Sequence, residues 1–127
     1  MPTAEVSERG QSTVELALCL PILLLLVGCA IDIAGVAGAQ ARLWHAAREG
    51  ARIAAVDPDG GGVARAVREA GAVGARIVIA PDERYRVQGD PVTVVLRQPA
   101  PSRVPLLRSV LSRIVLRARA TFRIEQP

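Results

Sequence analysis

The hydrophobic pattern changes character along the chain. Residues 16–31, LALCLPILLLLVGCAI, carry no charge, and after Asp32 a small apolar stretch, IAGVAGA, continues to Ala39. The spacing then turns to threes and fours. Val36, Ala39, Leu43, Ala46, Ala47, Gly50, Ile53 and Ala54 share one face, while Arg42, His45, Glu49 and Arg52 fall on another. That is the period of an amphipathic helix, and nothing separates it from the apolar run. A single helix over residues 11–56 is predicted, near 65 Å long at about 1.5 Å per residue. Its first half suits lipid and its second half suits packing on a sheet. Pro21 removes one helical hydrogen bond and is expected to kink the rod.

Beyond it, DPDGGG at residues 57–62 ends the helix, and residues 63–73 read as a short second one. RIVIA (76–80), YRVQ (85–88) and VTVVLR (92–97) read as strands by their β-branched content, with turns at 81–83 and 89–91. Residues 98–105, QPAPSRVP, form a loop and 106–112 a short helix. The last stretch alternates strictly. Leu116, Ala118, Ala120, Phe122 and Ile124 face one way, and Arg117, Arg119, Thr121, Arg123 and Glu125 face the other. A half-exposed strand follows. The fold class is therefore α+β, with the long helix packed on a small, mostly antiparallel sheet.

At about 1.5 Å per residue the uncharged run covers roughly 24 Å, short of the ~30 Å hydrocarbon core, so its span must recruit residues at an end. Its Leu, Ile and Val residues outweigh one carboxylate near an interface, so insertion is favoured. Asp32, an ionisable group near or within the membrane, is a candidate for pairing with an Arg or amine of a partner, and equally for a plain interfacial position. Small residues at Gly28, Ala30, Ala34, Gly35, Ala37 and Gly38 would let another helix approach closely.

Composition narrows the function classes. All 16 basic residues are Arg, set against 12 acidic ones for a net charge of +4. They are scattered among acids without aromatic interleaving, which argues against a nucleic-acid partner. His45 is the sole histidine, so no catalytic triad, metal site or cofactor site can be nominated. The three glycines at 60–62 lack the Lys and Ser or Thr of a phosphate loop. No enzyme activity and no small-molecule substrate is expected. Trp44 reads as a packing residue or interfacial anchor. Cys19 and Cys29 lie ~15 Å apart along one helix, too far for a disulfide within it.

The residues before the membrane run carry the sharpest signal. Arg9 and Gly10 precede QSTV, and Glu15 stands at the head of the apolar stretch. This resembles the type IV prepilin processing motif, cut after a glycine on the cytoplasmic face, with a glutamate fifth in the mature chain. Counted from Gln11, Glu15 is fifth. A carboxylate at the edge of an apolar helix must be hydrated or neutralised. The resemblance supplies a partner for it, the freed amine of Gln11 in its own subunit or a neighbour. Gln11 replaces the Phe usual in major pilins. A Glu in a first helical turn capped by Ser12 or Thr13 is also favoured by the helix dipole in any protein.

The stretch RGQSTVELALCLPILLLLVGCAIDIAGVAGAQARLWHAAREGARIAAV, residues 9–56, resembles the opening of the TadE-like family. The RGQ and TVE pieces, the Leu20–Pro21 step and the AAREGAR segment beyond the membrane run are all present in order. The resemblance implies a pilin-like minor pseudopilin of the tight-adherence (Flp) pilus assembly system. Residues 1–10 would be a leader, 11–56 the long helix and 57–127 a small exported domain. Implied partners are a prepilin peptidase, other Flp/Tad pseudopilins, the pilus assembly platform and membrane lipid. Gly10 and Gln11 would be the processing residues, and Glu15 and Asp32 the assembly residues. The implied location is the bacterial cytoplasmic membrane, single-pass, N-terminus inside, with possible incorporation into the filament.

Other readings compete. LVGC at residues 26–29 resembles a lipobox, which would make the chain an exported lipoprotein lipidated at Cys29. Ala30 with Ala34 or Ala37 could be fitted to an ordinary signal cleavage site. The Arg distribution favours a single-span anchor with a cytoplasmic domain, since Arg9 is offset by Glu5 and Glu8 whereas Arg42, Arg48 and Arg52 follow the run. That orientation would put Gly10 out of a cytoplasmic peptidase's reach. Long domains translocate largely regardless of charge, and export is expected.

Overall fold

The computed structural model describes residues 6–57 and 61–125; for residues 6–11 and Leu106 the description is of backbone alone. Residues 1–5 of the expected leader and 58–60 of the expected break lie outside the described residues. The long helix α1 runs over Val6–Val56, 51 residues, and passes through Pro21 without interruption. A short helix α2 (Gly61–Glu69) follows, then β1 (Arg76–Ala80), a 3-10 turn at Glu83–Tyr85, β2 (Pro91–Pro99), a short helix α3 (Pro105–Leu111) and β3 (Val115–Arg123). The three strands form an antiparallel sheet in the order β1-β2-β3. Register runs from Arg76 opposite Arg97 to Ala80 opposite Thr93, and from Pro91 opposite Arg123 to Pro99 opposite Val115.

The second half of α1 lies across this sheet. The face expected from the spacing is the one that docks: Ala39, Leu43, Ala46, Ala47, Ala51, Ala54 and Ala55 are buried against Val92, Val94, Leu96, Leu116, Ala118, Ala120 and Ile124. Most α1 members of that set are alanines, so the helix backbone comes down close onto the sheet, and interdigitation rests on Leu43. Two polar bonds pin the seam at its ends. The Gln40 side chain donates to the Arg117 carbonyl at 2.8 Å, and the Glu125 backbone N–H donates to the Ala55 carbonyl at 3.0 Å. Along β3 the alternation holds, with the arginines exposed. Phe122 shares the inward parity yet keeps 41% of its surface exposed.

Two expectations are corrected. YRVQ (85–88) is not a strand. β1 and β2 are direct antiparallel neighbours, with Ala80 opposite Thr93, and the residues between them reverse the chain. They do so through the 3-10 turn, and Arg86 makes long bonds to the carbonyls of Pro81 and Asp57 at 3.4 and 3.5 Å. The second helix covers 61–69 rather than 63–73. Gly71 adopts φ +90°, its N–H donates to the Arg68 carbonyl, and the N–H of Ala72 donates to the Val67 carbonyl. This is the left-handed glycine stop that ends a helix at the preceding turn.

Candidate functional site

The candidate residues lie along α1, and α1 divides into two environments. From Ser12 to Val27 every residue is exposed, including all the leucines, Ile22 and both valines. An aliphatic surface of that extent is unstable in water and stable in lipid. Among the described residues α1 is the one helix long and apolar enough to cross a membrane. Pro21 lies inside this bare section, as does Cys19; Cys29 is half-buried, and both thiols are free.

Gly10 and Gln11 fall on helical backbone, because α1 begins at Val6 rather than at residue 11. Glu15 follows one turn later, exposed at the head of the apolar run. Four residues of helix separate Gln11 from Glu15, a rise of about 6 Å, so groups at these positions share one face.

Asp32 is where the bare rod meets the domain. It is 3% exposed. The Ser102 hydroxyl donates to its Oδ2 at 2.8 Å, the Arg103 backbone N–H to its Oδ1 at 2.8 Å, and the Val104 N–H to Oδ2 at 3.4 Å. Two carboxylate oxygens thus close the loop between β2 and α3, saving backbone donors from burial without a partner. Arg42 and Arg103 border the same hollow beside Asp32. Four residues earlier on α1, a side chain at Gly28 would come within 3.1 Å of the Val104 methyls. One member of the small-residue series is therefore already occupied by this chain's own loop, whereas Ala30, Ala34 and Ala37 remain exposed.

Local sequence did not reveal Ser102, Arg103 and Val104 as Asp32's partners. The proline-punctuated QPAPSRVP announces a loop and nothing about where it lands. His45 and Trp44 both lie exposed on the outer side of α1. Among the described residues no group of His, Cys, Asp or Glu is arranged to hold a metal ion.

The bare rod, the amphipathic continuation and the small sheet make a pattern that can be compared with known families. Residues 10–52 match the family model of TadE-like protein. The TadE-like segment thus begins at Gly10, takes in the whole exposed apolar section and Asp32, and ends within the docked half of α1. The sheet and α3 lie outside the matched segment. No curated protein and no solved structure matches the chain.

Proposed function

We propose that this chain is a minor pseudopilin of the tight-adherence (Flp) system, cut after Gly10 by a prepilin peptidase at the cytoplasmic face. The small domain is exported, and the α1 rod stays in the membrane until the protein primes or joins the filament. The observation that carries this reading is the TadE-like match over residues 10–52, lying on a helix that is bare over its first half and covered by a sheet over its second.

Physical chemistry supports each step. Glycine is about 1 kcal/mol worse than alanine in a helix, so the turn around Gly10 is the cheapest point at which to unwind the N-terminal end for a peptidase. Cleavage there converts the Gln11 amide into an ammonium one helical turn from Glu15. An ion pair is strong where the surroundings are apolar, so the new end matches the carboxylate of its own subunit or of a neighbour entering the same bundle. The exposed Ala30, Ala34 and Ala37 suit close helix contact with other pseudopilins or the assembly platform.

Lipidation at Cys29 is the second reading, and the TadE-like match weighs against it. The match runs through Cys29 without a break, whereas lipidation would require a new N-terminus there. Intact-mass measurement of protein extracted from membranes of cells containing a prepilin peptidase separates the readings. Loss of residues 1–10 is expected. A diacylglyceryl group on Cys29 would establish the lipoprotein, and an uncut chain would establish a plain single-span anchor.

A further inference from the structure

The apolar run is too short to cross a membrane by itself, and the two ends from which it could be lengthened differ. Extending it backwards draws in Glu15, an exposed carboxylate. Extending it forwards draws in Asp32, whose oxygens are already taken by Ser102, Arg103 and Val104. The forward end is therefore the cheaper one to immerse, since a buried carboxylate presents less charge to lipid than one on an open helix face. The loop at 102–104 is fastened to α1 at Gly28 and Asp32, so whatever immerses Asp32 immerses the start of α3 too.

The surface of α3 fits that position. Leu107, Val110 and Leu111 face Cys29, Ile33 and Val36 across an open hollow of about 300 Å³. Val110 is 61% exposed and Ile33 71%, an arrangement out of place in water. Arg103, Arg108 and Arg113, all exposed, are the basic residues of the same segment, before, within and after α3. Aliphatic side chains and guanidinium groups in one segment, beside a membrane helix, match the acyl-to-phosphate boundary of a bilayer.

Resting on the reading of α1 as a membrane rod, we propose that the segment from Pro101 to Ile114, with α3 at its centre, is a membrane foot. It lies in the leaflet on the domain's side, Leu107, Val110 and Leu111 against acyl chains and the three arginines on lipid phosphates. The foot completes the span that residues 16–31 leave short and holds the domain at a fixed tilt to the bilayer.

The test uses the full chain in phospholipid vesicles with Trp44, the native tryptophan, changed to Phe, and one new tryptophan per variant. Val110→Trp probes the foot, Leu24→Trp the middle of the rod, and Tyr85→Trp the far end of the domain. Tyr85 adjoins Arg86, whose side chain reaches the Asp57 carbonyl, and Asp57 lies about 37 Å along the helix from Asp32 at the standard rise. The Val110 probe is expected to be blue-shifted and to lose most of its emission to lipids brominated near the carbonyl end of the chain. The Leu24 probe should lose most of its emission to lipids brominated near the methyl end, and the Tyr85 probe should be insensitive to both. A Val110 probe as insensitive as Tyr85, with Leu24 still quenched, overturns the foot and leaves the rod standing. Insensitivity at both Leu24 and Val110 overturns the rod as well.

Discussion

Asp32 and Ser102, seventy positions apart, are joined by a 2.8 Å hydrogen bond that ties the membrane half of α1 to the loop leading into α3. The carboxylate also takes the backbone N–H groups of Arg103 and Val104. It therefore acts as a latch between rod and domain.

Truncating that latch is expected to loosen the loop in a graded order. Asp32→Ala strands the backbone N–H groups of Arg103 and Val104, the Ser102 hydroxyl keeping the Val104 carbonyl at 3.1 Å as acceptor; Asp32→Asn keeps one oxygen, and Ser102→Ala removes one donor while the two backbone bonds survive. The asymmetry between losing a donor and stranding several sets the ranking. Trypsin cleavage after Arg103 in detergent-solubilised protein measures it, with Asp32→Ala fastest and Ser102→Ala nearest to wild type. Equal rates for all three would mean that Gly28 and Val104 hold the loop by packing alone.

Gly50 illustrates a competition between propensity and space. A Cβ there would meet Val67 Cγ2 at 3.0 Å, Val63 Cγ1 at 3.4 Å and Val94 Cγ1 at 3.6 Å. Alanine would gain about 0.5–1 kcal/mol of helix propensity. Against this stands overpacking, typically about 1–3 kcal/mol, and the three valines are fully buried, or nearly so, and stiff at χ1. Overpacking wins. Gly50→Ala is expected to destabilise the domain by about 1 kcal/mol, read as a lower denaturant midpoint, and Gly50→Val by more. A gain in stability would show that α2 can shift away from α1 at no cost.

The contrast between Gly50 and Tyr85 shows what was legible. The docked face of α1, the two long strands and the alternation of β3 follow from periods of 3.6 and 2, which record burial on one side, and α1, β2 and β3 each bury one side. The strand expected at 85–88 failed because β1 pairs directly with β2, and the residues between them are used in reversing the chain. Its few local β-formers could not report that. Asp32 was legible as an oddity, a charge where apolar residues belong, but not as a latch, since its partners lie on a loop seventy residues away. Gly71 could have marked the end of α2, since glycine is the usual residue just past a helix terminus.

Replacing Gly10 tests the processing proposal at its first step. A cut-site pocket shaped for glycine has no room for a methyl group, and one carbon misfitting a snug site costs roughly 10–200-fold in rate. Alanine also strengthens the helical turn that must unwind. Gly10→Ala is expected to accumulate uncut precursor in membranes of peptidase-containing cells, seen by intact mass. Processing at the wild-type rate would make the match of Gly10 to the motif a coincidence.

Glu15 separates cleavage from assembly. It lies beyond the proposed scissile bond, so Glu15→Gln is expected to be cut normally while losing the charge that the Gln11 ammonium would meet. A neutral amide of the same size keeps the packing and removes only the ion pair. Since opposite charges a few ångströms apart in a partly apolar setting interact strongly, recovery in sheared filaments or in cross-linked pseudopilin complexes should fall by roughly tenfold or more. Glu15→Asp retains the charge on a shorter arm and should restore part of the loss. Partial rescue by Asp with none by Gln is a pattern that helix-dipole stabilisation alone would not give, because a few tenths of a kcal/mol at an exposed first turn is too little to abolish assembly. Normal assembly of Glu15→Gln would reduce the carboxylate to a helix-start preference and remove the charge pair from the proposed mechanism.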